Sequence, residues 1–370
     1  MIKHMAITVL LLTGTIATNP NAAAEQTNPV ATGAVSLPTA HAKSTKYRLD
    51  YSDLEGVLRG SVLQMGRSTH KRASKPTKST ASNIRLGNSL PSRLEGNRVM
   101  LHKYGEAQIE GVAAVRDELL AIPKQISIEK LSKNEQLAYW LNLHNITVLA
   151  KVADLYPITN IEKILSPLNS SSEYFAREYL WDGQMISLDD IRQHVLANWN
   201  DPIVIYGFYF GAVGTPNIRN SAYTGATVIA ALKDNAEEFV NSVRGTQIWN
   251  KTKLRVSTYY QASAVQFPNF QADVTAHIKK YASDKFERRM KAVESFHIDI
   301  DDWHIADLYN GQMGDTAAVY AGTVTDATGN SLKSALPEHV QDLLKDRQTK
   351  LARRGGKTGV EEVKKKDKSR

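Results

Sequence analysis

The chain contains no cysteine. That single absence removes disulfide staples, thiolate metal sites, iron–sulfur clusters and thiol nucleophiles from consideration. Long hydrophobic runs are also lacking. The apolar stretch Met5–Ala17 is shorter than the roughly 20 residues that a membrane-spanning helix needs, and no later segment qualifies. No H-E-x-x-H pair and no EF-hand spacing occurs, so neither a metal centre nor a cofactor is expected. Folded-domain charge of one sign is missing as well. The net +8 is concentrated in Lys345–Arg370, which holds 11 Lys/Arg against 4 Asp/Glu, leaving 35 bases and 34 acids in the rest. A nucleic-acid-binding domain usually clusters its bases on a folded face, so no specific nucleic acid is expected as a partner. What is present is ordinary globular composition, 42% hydrophobic and 23% charged over 370 residues, enough for a sizeable core.

The ends suggest a compartment. A basic Met1–His4, an uncharged apolar stretch and the small run Ala22-Ala23-Ala24 read as a secretory signal over residues 1–24, which predicts a periplasmic or secreted protein with no span after cleavage. Residues 25–46 read as a flexible lead-in. Gly66–Ser82 (GRSTHKRASKPTKSTAS) reads as a mobile basic loop, either simply solvated or able to touch a polyanion. Residues 311–336 read as a linker, 337–354 as a helix and 355–370 as a disordered basic tail.

The globular part spans 47–310, and its patterns predict a mixed α+β, helix-rich fold with a small central sheet flanked by helices. Ser132-Lys133-Asn134-Glu135 has capping-box spacing, and Leu137, Leu141, His144, Val148, Val152 and Leu155 follow on one helical stripe that Pro157 ends. Asp182-Gly183 between two short runs rich in strand formers predicts a hairpin, and Ser187 with Asp190 predicts a capped helix after it. Ile203–Val213 (IVIYGFYFGAV) is apolar at nearly every position and reads as a strand buried on both faces, followed by a Gly214-Thr215-Pro216 loop. Val228, Leu232, Ala236, Phe239 and Val243 form another helical stripe. Leu254, Val256 and Thr258 alternate as a strand, as do Phe296, Ile298 and Ile300. That last alternation sets His297, Asp299 and Asp301 on one face, with His304 nearby, an arrangement that permits metal binding but equally describes any half-exposed strand.

Three of these segments resemble the family known as domain of unknown function 547. Ala138-Tyr139-Trp140-Leu141-Asn142-Leu143-His144-Asn145 is similar to its A-F-W-I-N-L-Y-N signature, with His144 in place of tyrosine. Gly183 and Ile186-Ser187-Leu188-Asp189-Asp190-Ile191 match its G-x-x-(I/L)-S-L-D-D-I pattern, and Asp201-Pro202 through Pro216 is similar to D-P-R-I-H-F-A-L-x-C-G-A-x-S-C-P. Asp302-Trp303 is similar to a later D-W pair. The family pattern's histidine falls on Ile205, its first cysteine on Phe210 and its Ser-Cys on Gly214-Thr215, so a Cys/His chemistry is not carried over.

Two functions follow from the residues. A binding protein would use Trp140, Asn142, His144, Asn145, Gly214, Thr215, Arg219 and Tyr223 around a small ligand or peptide, because loops after buried strands commonly hold ligands. A hydrolase or amide transferase would use His144, Asp189 or Thr215, and a threonine hydroxyl then requires an adjacent base. The basic tail would hold either protein on an anionic envelope surface, or merely keep it soluble.

Overall fold

The computed structural model describes residues 35–74, 88–312 and 336–355. The expected signal segment, the first ten residues of the lead-in, the second half of the basic loop, nearly all of the linker and the tail lie outside the described residues. From Leu37 onward the described residues pack as one unit.

In chain order the elements are α1 (Ser52–Ser61), β1 (Val62–Leu63), β2 (Arg98–Val99), α2 (Glu106–Ala121), α3 (Lys133–Asp154), α4 (Glu162–Leu165), β3 (Tyr179–Trp181), β4 (Gln184–Ile186), α5 (Leu188–Asn198), α6 (Val228–Val240), β5 (Thr246–Trp249), β6 (Lys253–Ser257), α7 (Tyr259–Ala262), α8 (Phe270–Tyr281), α9 (Asp284–Met290), β7 (Ser295–Ile300) and α10 (Glu338–Gly355). The fold is thus mixed α+β and helix-rich. Its sheets are small: β1 pairs with β2 and β3 with β4, both antiparallel, while β5-β6-β7 forms a three-stranded sheet with β5 antiparallel and β7 parallel to β6.

At the centre lies α3, buried at almost every position from Glu135 to Ala153. An amphipathic surface helix presents one apolar stripe; α3 is surrounded, so its polar residues must be paired within the protein. Ser132 caps it by accepting from Glu135 N at 3.3 Å. The Glu135 carboxylate does not close the capping box. It accepts instead from Leu49 N at 3.2 Å and Gly225 N at 3.0 Å, tying the lead-in to α1 and the lead-in to α6 to one anchor. The box at α5 is complete: Ser187 Oγ accepts from Asp190 N at 3.0 Å, and Asp190 Oδ2 accepts from Ser187 N at 2.9 Å. Asp182 (φ +45°) and Gly183 (φ +79°) turn the β3–β4 hairpin, because a two-residue hairpin turn needs left-handed backbone there.

One expected element is corrected. Ile203–Val213 is not a strand. Pro202–Gly207 is a six-residue 3₁₀ helix, and the rest is irregular chain threaded through the core. Burial was read correctly, since Ile203 through Val213 is buried throughout. The backbone was not, because a run that is apolar at every position carries no period to separate strand from helix. Two local features select the turn: proline at the first helical position and Asp201 Oδ1 accepting from Ile203 N at 3.0 Å. Beyond the expected linker, α10 returns to the main body. Val340 and Leu343 bury against Met65 and Leu308, and Arg93 pairs with Asp342 at 3.2 Å.

Candidate functional site

The amides of α3 organise the threaded segment and the loop beyond it. Asn145 Nδ2 donates to Gly207 O at 2.8 Å, and its Oδ1 accepts from Tyr209 N at 2.9 Å. Asn142 does the same for Tyr223, donating to its carbonyl at 2.8 Å and accepting from its N–H at 2.9 Å. A carboxamide offers a donor and an acceptor side by side, so it pairs with a peptide group as a neighbouring strand would. The Leu141 side chain packs close over Gly207, where a Cβ would lie 2.6 Å from Leu141 Cδ2.

His144 is fully buried between these amides, and burial pushes its imidazole down to about 3. It is therefore neutral at pH 7. Asn145 Oδ1 already acts as an acceptor, so the Nδ1 nitrogen 3.0 Å from it carries the proton. Nε2 then accepts from the Tyr174 hydroxyl, also at 3.0 Å. Tyr174 in turn lies under the Arg192 guanidinium, which donates to Asp189 Oδ1 at 2.8 Å and to Ala262 O at 2.5 Å. His144 and Asp189 therefore stand at opposite ends of one buried polar chain without touching. Thr215 belongs to neither end: its Oγ1 donates to Ala212 O at 3.0 Å. The three residues considered for catalysis are not brought together. Asp190 holds the α5 cap and pairs with Arg177 at 3.1 Å. Trp140 is packed against Trp181 and His194 in the core.

Gly214 lies against a polar group that local patterns had not singled out as a pair. Gly214 N donates to Asp302 O and Val213 N to His304 O, both at 2.8 Å. The Asp302 side chain is 1% exposed and accepts from Asn88 Nδ2 at 3.0 Å, Ser92 Oγ at 2.7 Å and His304 Nδ1 at 2.8 Å. His304 itself is 36% exposed. The His304–Asp302 spacing of two residues was legible, but Asn88 and Ser92 are over 200 positions away. The metal geometry considered for β7 is absent: His297 bonds Ser295, Asp299 pairs with Arg255 and Asp301 accepts from Thr258. Among the described residues no group of three or more His, Asp or Glu is placed to hold a metal ion, and no helix is long and apolar enough to cross a membrane.

Of the residues considered for ligand binding, Arg219 lines an open cleft. The cleft measures about 610 Å³ and lies between the start of α1 and the first two turns of α6, with the loop 219–224 as its back wall. Arg219 Nη1 donates to Ala231 O at 3.1 Å and Asn235 Oδ1 at 3.2 Å, and its nearest acid, Asp234, is 4.0 Å away. Glu55 Oε2 accepts from Ala222 N at 2.7 Å across the cleft, and Asp50, Ser52, Ser221 and Thr227 add carboxyl and hydroxyl groups to its lining. Tyr223 sits behind the wall, its hydroxyl accepting from Asn235 Nδ2 at 3.1 Å. Both walls depend on Glu135, which anchors Leu49 and Gly225. The α1 side could not be read as part of a site, because Glu55 and Ala222 are 167 positions apart.

Comparison with known proteins gives one match. Residues 128–240 fit the model of a family described as Protein of unknown function, DUF547. That range contains the three signature segments and Arg219, and leaves out Asp302-Trp303. No curated protein and no solved structure matches the chain.

Proposed function

We propose that this chain, which carries a DUF547 region at its centre, works by binding a small polar ligand with an anionic group in the Arg219 cleft. One observation carries the reading: a half-buried guanidinium is fixed on one nitrogen by α6, with only the exposed Asp234 carboxylate 4.0 Å from the other, and stands in the lining of a walled cleft. Arginine presents a planar fork suited to carboxylate or phosphate, and the hydroxyls and carboxyls around it suit a ligand that also carries donors, such as an amino acid or short peptide. Because Glu135 and Glu55 already hold the walls in place, little ordering accompanies binding. The N-terminal pattern supports an exported protein, in which such a ligand is met outside the cytoplasm.

The test is a thermal-shift screen of amino acids, dipeptides and dicarboxylates. A ligand bound only by the native form raises the melting temperature. The rise is expected with the parent chain and lost in Arg219→Ala. Equal shifts in both chains remove the cleft from the reading.

A second reading, a hydrolase, draws on the Asp302–His304 pair. A buried carboxylate that fixes Nδ1–H leaves Nε2 of a half-exposed imidazole free to accept a proton from water or an alcohol. Ester hydrolysis that survives Arg219→Ala and vanishes in His304→Gln would favour it.

A further inference from the structure

The outer face of the β5-β6-β7 sheet is left uncovered and has an unusual composition. Strand pairing aligns Trp249 with Lys253 and Gln247 with Arg255 across β5 and β6, and Arg255 with His297 across β6 and β7. The opposite face buries Leu254 and Val256 completely, so alternation sends these polar and aromatic side chains outward. Trp249 is 44% exposed. A large indole on an exposed strand beside a shallow depression of about 270 Å³ has no role in the core.

The first half of the basic loop is fastened to this face. His70 stacks on Phe286 with ring centres 4.1 Å apart, donates its N–H to Asn241 O at 3.0 Å, and its Nε2 meets Thr246 Oγ1 at 2.9 Å. Those contacts deliver Arg72 to the edge of β5. There Nη1 donates to Gln247 Oε1 at 2.6 Å and the guanidinium lies 5.0 Å from the Trp249 ring centre. Arg255 approaches the same ring at 6.0 Å, and Arg289 donates to Ile248 O at 3.3 Å. Arg72, Lys253 and Arg255 thus stand around one indole, with Arg289 on the neighbouring backbone and Asp299 as the acid paired to Arg255.

From this geometry we propose that the face docks an acidic polysaccharide. An indole offers an apolar plane for the C–H face of a sugar ring. Arginine, histidine and aspartate beside it are planar groups that exchange hydrogen bonds with hydroxyls, and the surplus of positive charge selects carboxylated or sulfated sugars. A lipid surface fits less well, because a single large apolar side chain stands among polar ones. A single-stranded nucleic acid fits less well because successive bases need several stacking rings, and here there is one.

The experiment is affinity electrophoresis and titration calorimetry of the full chain with polygalacturonate, with dextran as the neutral control. Polygalacturonate is expected to bind and dextran not to. Trp249→Ala and Arg72→Ala/Arg255→Ala are each expected to weaken binding at least tenfold, at unchanged far-ultraviolet circular dichroism. Lys364→Gln/Lys365→Gln/Lys366→Gln, which discharges much of the tail, is expected to leave it within twofold. The proposal is overturned if Trp249→Ala binds like the parent, if the tail variant alone loses binding, if dextran binds equally, or if only oligodeoxythymidine or phosphatidylglycerol vesicles bind.

Discussion

The side-chain amide of Asn142 pairs with both backbone groups of Tyr223, at 2.9 Å from its N–H and 2.8 Å to its carbonyl. This links the middle of α3 to the wall of the cleft across 81 positions of sequence, with both residues buried. Removing the amide orphans a buried donor and a buried acceptor together, each costing about 1–3 kcal/mol. Asn142→Ala is therefore expected to destabilise the protein by about 3 kcal/mol in urea unfolding. Asn142→Asp keeps the acceptor and loses the donor, and its loss is expected to be smaller at low pH, where the carboxyl is protonated. A cost below about 1 kcal/mol for the alanine variant would mean that the pairing is incidental.

Two glycines separate soft from rigid crowding. A Cβ on Gly207 would meet the ends of Leu141 and Leu232, at 2.6–2.9 Å, and those side chains can rotate. A Cβ on Gly214 would meet the backbone of Asp302, with its carbonyl oxygen 2.6 Å away, and that backbone is fixed by the Gly214 N–H itself. Overpacking typically costs about 1–3 kcal/mol. Gly214→Ala is expected at or above the upper end and Gly207→Ala near the lower, as judged by the urea midpoint. The reverse order would show that the Gly214–Asp302 contact yields easily.

Elements whose signal is local were legible in the sequence. Asp182-Gly183 supplied the left-handed turn a hairpin needs, Ser187 and Asp190 capped α5, and the alternation of Phe296, Ile298 and Ile300 marked β7. Ile203–Val213 failed because burial on every side erases the period by which strand and helix are told apart. The site was harder still, since its meaning lies in partners far along the chain. Asn142 and Asn145 look like ligand-binding amides until Tyr223, Gly207 and Tyr209 are found to occupy them. Arg219 could be chosen, but the opposite wall from Leu49 to Glu55 could not. Arg72 likewise gains its place from Gln247 and Trp249, across nearly half the sequence.

The C-terminal helix contributes to the stability of the main unit. Leu343 is 2% exposed and packs in a small cluster with Met65, Leu308 and Val340, while Lys350 donates to Leu94 O at 3.1 Å and Arg347 to Gln64 O at 2.7 Å. Leu343→Ala is expected to cost about 2–3 kcal/mol, within the range for buried leucines. Hydrogen exchange is expected to rise around Met65 and Leu94 as well as in α10. Faster exchange confined to α10 would show that the helix only rests on the surface.

Titration fixes the pH of greatest stability. Burial lowers the imidazoles of His70, His194, His277 and His339 to about 4 and that of His144 to about 3, all from an ordinary 6.5. Between these values the unfolded chain binds protons that the native chain refuses. Their contribution is therefore complete above pH 6.5 and is lost as pH falls toward 4. Glu95 has the opposite sign. Burial, reinforced by Glu238, raises it from 4.5 to about 8, so its neutral form favours the fold and stability declines as pH rises from 4.5 to 8. Asp307, raised by burial from 3.8 to about 6, acts likewise over a lower range. Five groups outweigh two below pH 6, and Glu95 alone acts from 6.5 to 8. The urea midpoint is accordingly expected to peak near pH 6.5, fall steeply toward pH 4.5 and decline gently toward pH 8. Glu95→Gln is expected to flatten the alkaline limb and leave the acid limb in place. A midpoint higher at pH 5 than at pH 6.5 would contradict the neutral, buried state assigned to these histidines, His144 among them.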